Sequence, residues 1–93
     1  MLPNVDFNYD LDAHIARFAA AYGFGLIRDH PLNDGNKRAG FLAILLFLDL
    51  NRFELRVEQA EATQVILEVA AGKMKESELT NWIGDHVRKI RKS

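Results

Sequence analysis

The chain has 93 residues, 48% of them hydrophobic, 27% charged and 10% aromatic, with no cysteine and a net charge of −1. This size holds one small domain, expected to span 1–93, and the apolar content excludes an intrinsically disordered chain. The lack of cysteine excludes a disulfide scaffold and a thiolate metal site and fits a reducing cytoplasm.

The longest apolar run, residues 39–48, is too short to cross a bilayer, and no basic-then-apolar leader opens the chain. A soluble cytoplasmic protein with no membrane partner is therefore expected. Charge is unevenly spread. Residues 1–72 carry 6 basic and 10 acidic groups, whereas residues 73–93 carry 6 basic and 3 acidic.

Residues 1–10 read as an arm, with Pro3, Asn4 and Asn8 opposing regular structure and Val5, Phe7 and Tyr9 available to pack. Asp10 or Asp12 then offers an N-cap for a first helix. Ile15, Phe18, Ala19, Tyr22 and Leu26 form its apolar stripe. Gly23 and Gly25 weaken that helix by about 1 kcal/mol each, so close packing against its far end is expected. Pro31 sets its limit, since the residue before a proline is biased out of the helical region.

Residues 30–35 form a polar turn, and a second helix is expected from Asn36 to Leu50, with Asn51 as a left-handed C-cap. Its centre is apolar all round, the pattern of a helix buried on most sides. Residues 52–57 read as a short extended connector. A third helix over 58–71 places Ala62, Ile66, Val69 and Ala70 inward and ends at Gly72. A fourth over 76–90 carries Leu79, Trp82, Ile83, Val87 and Ile90 on one stripe. The expected fold is all-α, four helices without a sheet, with Phe18, Phe41, Phe47 and Trp82 in the core.

One segment is dense in chemistry: His30-Pro31-Leu32-Asn33-Asp34-Gly35-Asn36-Lys37-Arg38. It ends at a helix N-terminus, where free N–H groups and the dipole attract anions. Gly35 admits a ligand close to the backbone, and Asn36 adds a neutral donor. Lys37 and Arg38 put positive charge where a helix prefers negative, a cost that an arriving anion would offset. Asp34 supplies a hard oxygen suited to Mg²⁺ shared with a nucleotide. His30 offers an imidazole, the side-chain type suited to take a proton from a hydroxyl. Together these describe a site for phosphoryl or nucleotidyl transfer.

The segment resembles the signature of the Fic/Doc family, His-Pro-Phe-x-x-Gly-Asn followed by Lys-Arg or Gly-Arg. The downstream Leu48-Asp49-Leu50-Asn51, and the turn at 70–72 leading to Trp82, resemble its Doc branch. The resemblance implies a small helical bundle with the motif loop before a central helix. It implies ATP as substrate with Mg²⁺, His30 as general base and Asp34 as metal ligand. Gly35, Asn36 and Arg38 would bind phosphate, and Arg28 matches a further basic position of Doc proteins. Lys37, where adenylylating members carry glycine, implies transfer of the γ-phosphate to a Ser or Thr of a protein target, elongation factor Tu being the type. An adenylyltransferase is the alternative.

The resemblance also implies a toxin restrained by a Phd-type antitoxin, because the self-inhibitory pattern Ser/Thr-x-x-x-Glu-Gly/Asn fails at Thr63, Ser77 and Thr80. A catalytically weak domain that acts mainly through such a partner is a further reading. Leu32 stands where the family has Phe and is expected to anchor the loop in the core with less area. Only 29 residues precede His30, so the chain is expected to lack an N-terminal helical segment. The apolar helix would then be under-covered, giving self-association or a bound partner. The remaining charge is read conservatively. His14 and His86 read as structural, and Arg88, Lys89, Arg91 and Lys92 as a solvated basic end. Direct nucleic-acid binding is not expected, since no helix combines a polar recognition face with a basic one.

Overall fold

A computed structural model describes residues 4–90, with side chains from Asp12 onward. The packing suggested for Val5, Phe7 and Tyr9, like Arg91 and Lys92 of the basic end, lies outside the described residues. The elements are α1 (Asn4–Asp29), α2 (Asp34–Leu50), β1 (Phe53–Leu55), α3 (Gln59–Ala70), α4 (Glu76–His86) and β2 (Val87–Lys89). The all-α expectation holds for the architecture. No helix among the described residues is long and apolar enough to cross a membrane.

Helix α1 begins at Asn4, so the expected arm is helical backbone and Asp10 and Asp12 are interior positions rather than caps. Nothing between Asn4 and Tyr22 is Gly or Pro, and the asparagines alone do not stop propagation. The buried face of α1 is Ile15, Ala16, Ala19, Ala20, Gly23 and Ile27. The expected stripe is thereby split, since Phe18, Tyr22 and Leu26 stay exposed.

The face runs in small residues because α2 crosses it closely. A Cβ on Gly23 would lie 2.5 Å from Ile44 Cδ1, and one on Gly40 would lie 2.5 Å from Ile27 Cγ1 and 2.9 Å from the Gly23 carbonyl. The close approach expected at Gly23 is therefore present. At Gly25 an added Cβ meets nothing within 4 Å.

Helix α2 buries only Gly40, Ile44 and Leu48. Burial on most sides, the expectation from its composition, is not what the structure shows. The elements that pack against it, chiefly α1, β1 and α3, leave its outer side open. The core joins Ile27, Ile44, Leu48, Val69, Leu79 and Ile83, all fully buried, with Phe53 closing one end. Phe41, Phe47 and Trp82 pack against it half-buried, whereas Phe18 does not belong to it.

Two local expectations are corrected. Asn51 closes α2 through its amide, which donates to the Phe47 carbonyl at 2.8 Å, but its φ is −103°; the left-handed residue is Arg52, at φ 67°. A non-glycine residue there costs about 1–2 kcal/mol. Arg52→Gly is accordingly expected to raise stability by about 0.5–1 kcal/mol, measured by denaturant unfolding.

The fourth helix stops at His86 rather than 90, and Val87–Lys89 pairs antiparallel with Phe53–Leu55, with Glu54 opposite Arg88. The Arg56 N–H donates to the His86 carbonyl at 2.8 Å and the Ile90 N–H to the Arg52 carbonyl at 2.9 Å, extending the ladder at both ends. The extended connector thus becomes half of a sheet that local periodicity did not show. By contrast, Gly72 ends α3 as expected. At φ 79° it lets the Lys73 N–H reach back to the Glu68 carbonyl at 2.8 Å.

Candidate active site

The turn between α1 and α2 is built by its asparagines. The Asn33 N–H donates to the His30 carbonyl at 3.0 Å, closing the turn around Pro31 and Leu32. The Asn33 side chain then caps α2, accepting from the Asn36 N–H at 3.1 Å. A Cβ on Gly35 would lie 2.9 Å from that capping oxygen, so glycine is what lets Asn33 close over the helix end. The Asn36 side-chain amide donates to the Leu26 carbonyl at 3.0 Å and pins the loop to the last turn of α1. With Asn36 and Lys37 N–H groups bonded to Asn33, the Asp34 and Gly35 amides are the first-turn donors left facing outward.

Leu32 does not anchor this loop. It is 96% exposed, the most open of the large apolar residues, because the Asn36 and Asn33 hydrogen bonds hold the turn without an aromatic plug.

Beyond the turn, Asp34, Lys37 and Arg38 come together in a cleft of about 410 Å³ whose far wall is α3, with Gln59, Thr63 and Ile66 facing Phe41. Lys37 Nζ lies 3.1 Å from Asp34 Oδ1, so the cation placed at the helix N-terminus is neutralised one turn away by a carboxylate that favours that end. Arg38 makes no ion pair among the described residues. Gln59 and Thr63 were not expected at this site from the sequence. They reach the site only through the packing of α3 beside α2, for which the chain carries no local signal.

His30 is exposed and lines a separate shallow depression with Asp29, Pro31, Leu32 and Asn33. Its Nε2 lies 3.6 Å from the Asp29 carboxylate, close enough to bias the ring's orientation and too long for a hydrogen bond. The structure therefore brings Asp34, Lys37 and Arg38 into one cleft, with His30 on the adjoining side of the same loop.

Arg28 is engaged elsewhere. Its guanidinium donates to the Ala70 carbonyl at 2.9 Å and lies 3.6 Å from where a Cβ of Gly72 would be. It caps the carboxyl end of α3 and ties that helix to α1. The phosphate role suggested for Arg28 has no support in this placement.

A metal-donor set is also informative. No group of three or more His, Asp or Glu side chains gathers among the described residues, so no cation cage made wholly by protein is present. The exposed Asp34 carboxylate, paired with Lys37, is the one hard oxygen donor that the loop brings to the cleft.

These features define a small helical domain with a turn that presents a histidine on one side and a cationic, carboxylate-bearing cleft at a helix N-terminus on the other. A family model described as the Fic/DOC family matches residues 2–48, just over half of the chain, and the chain belongs to that family. The match spans α1, the turn and most of α2. Members of the family transfer nucleotide-linked groups to proteins, using ATP, typically with Mg²⁺. No curated protein and no solved structure matches the chain.

Proposed function

We propose that this protein is a Doc-type phosphotransferase that moves the γ-phosphate of ATP to a Ser or Thr hydroxyl of a protein target of the translation-factor class, arresting translation in the cytoplasm. The observation that carries this reading is Lys37. It lies in the cleft, held at 3.1 Å on Asp34, where a glycine would leave room for the nucleotide to present its α-phosphate. A lysine there fills that room and meets the terminal phosphate with a charge.

The outward amides of Asp34 and Gly35 and the guanidinium of Arg38 bind phosphate oxygens. Asp34 would hold Mg²⁺, which neutralises polyphosphate charge when bound. The target hydroxyl oxygen attacks the γ-phosphorus and the bond to the β-bridging oxygen breaks. The hydroxyl proton passes to the neutral ring of His30, and ADP leaves. The Asp29 carboxylate stabilises the imidazolium so formed. Asn36 serves this site by fixing the loop to Leu26, with its side-chain amide already committed. Restraint comes from a separate antitoxin chain of the Phd type, which lays an amphipathic segment on the domain.

Incubation with elongation factor Tu and ATP labelled at either the α or the γ position tests this. Label from the γ position alone is expected. Label from the α position alone makes the protein an adenylyltransferase. Absence of ATP binding, with or without Mg²⁺, would leave only the partner-binding role.

A further inference from the structure

Two neighbouring helices leave an apolar face uncovered. On α2, Ala39, Ala43, Leu46 and Leu50 recur at spacings of four, three and four, the pattern of a helix-pairing seam, with Leu42 beside them. Leu42, Leu46 and Leu50 retain 56, 60 and 72% of their exposure, on the side opposite the buried Gly40, Ile44 and Leu48. Beside them on α1, Phe18 and Tyr22 retain 54 and 62%. Their rings rest on Phe47 of α2, at centroid distances of 6.4 and 6.0 Å. The two rows thus form one surface.

We propose that this surface is the interface of a two-fold symmetric dimer, in which α2 packs antiparallel against α2 of a second copy and the Phe18 and Tyr22 rows close its flanks. Three observations select this occupant. The first is area. The five side chains and the alanines between them expose about 700 Å², above the largest patch usual on a monomer and close to the ~800 Å² per partner of a standard interface.

The second is charge. On α2 the charged residues bordering the seam are Arg38 at one end and Asp49 at the other, neither ion-paired among the described residues, while on α1 Asp29 lies eleven residues beyond Phe18 on the same face. An antiparallel pairing of identical helices brings unlike charges together at both ends, so the surface is complementary to itself. No charge lies within the seam, as suits a homodimer core.

The third is Gly25. It is exposed on the same side of α1 as Phe18, seven residues on, and an added Cβ there meets nothing. The helix carries a glycine that its own fold does not require, next to the exposed Ala21. Such a shallow strip admits the close approach of another helix.

Sedimentation velocity on the purified chain is expected to give twice the 10.6 kDa chain mass. Leu46→Lys is expected to weaken the dimer roughly 30-fold or more while leaving the circular dichroism unchanged, because the side chain points away from the core. The chain has no cysteine, so Ala43→Cys, the seam position next to the two-fold axis when Arg38 faces Asp49, supplies a single thiol for mild oxidative crosslinking. A disulfide-linked dimer is expected for it, and none for Gln64→Cys, on the exposed side of α3. If Leu46→Lys fails to fold, the crosslink alone decides. A chain that stays monomeric up to about 0.1 mM overturns the proposal, whether or not it then captures a foreign helix. So does a dimer that persists in a folded Leu46→Lys and gives no Ala43→Cys crosslink. Leu46 does not line the nucleotide cleft, so its substitution leaves the cleft's own side chains in place, and Arg38 is the residue that the two sites share.

Discussion

Replacing His30 by alanine is expected to cut γ-phosphate transfer by roughly 10²–10⁴-fold, the contribution of a positioned general base. The same change is expected to leave thermal stability nearly unmoved. Two-thirds of the side chain is exposed and its one ion-pair partner among the described residues is the Asp29 carboxylate at 3.6 Å, a pair worth little in solvent. The backbone carbonyl of His30, which closes the turn with Asn33, survives the substitution. ATP binding should survive too, since His30 lies outside the cleft lined by Asp34, Lys37 and Arg38. Loss of transfer with binding and melting temperature retained assigns the proton transfer to His30. Equal transfer by the two proteins removes it from the chemistry.

Gly40→Ala is expected to destabilise the fold by about 2–3 kcal/mol, and Gly84→Ala to stabilise it by about 0.5–1 kcal/mol. By helix propensity alone both changes are favourable. At Gly84 the new methyl meets nothing within 4 Å, so propensity decides. At Gly40 it meets Ile27 at 2.5 Å and, more stiffly, the Gly23 carbonyl at 2.9 Å. A side chain there can rotate away, but a helix backbone cannot, so α1 and α2 must separate. For a chain of this size the loss corresponds to a drop of roughly 10–20 °C in melting temperature, readable by circular dichroism. A stable Gly40→Ala would show that the crossing has slack.

What could be read in the chain follows from what each element depends on. Helices α2 and α3 and their ends are written locally, in apolar spacing and in Gly72, and they appear within two residues of expectation. The motif loop is equally local. Its six candidate residues stand at fixed spacing in the chain, and Asp34, Lys37 and Arg38 do share a cleft. The failures are tertiary. Val87 and Ile90 fit a helical stripe as well as an extended strand, and only the distant segment 53–55 decides in favour of the strand. Arg28 was assigned by resemblance to a basic position of Doc proteins, and its contact with the carboxyl end of α3, some 42 residues on, has no local signal. The exposure of Phe18 and Leu46 likewise depends on how many elements pack around α2, and composition does not state that number.

The seam between α3 and α4 has an optical consequence. Trp82, the chain's one tryptophan, donates its indole N–H to the Glu61 carboxylate at 2.9 Å, and the ring lies 4.9 Å from that of His86. His86 in turn meets the Trp82 carbonyl at 2.7 Å and the same carboxylate at 3.3 Å. Tryptophan emission, excited at wavelengths where tyrosine does not absorb, therefore reports a single junction, the one that ends where α4 hands over to β2, and does not report directly on the glycine crossing of α1 and α2. Ellipticity, summed over four helices, sees both. The protein thus supplies its own two-channel test of whether its halves come apart together.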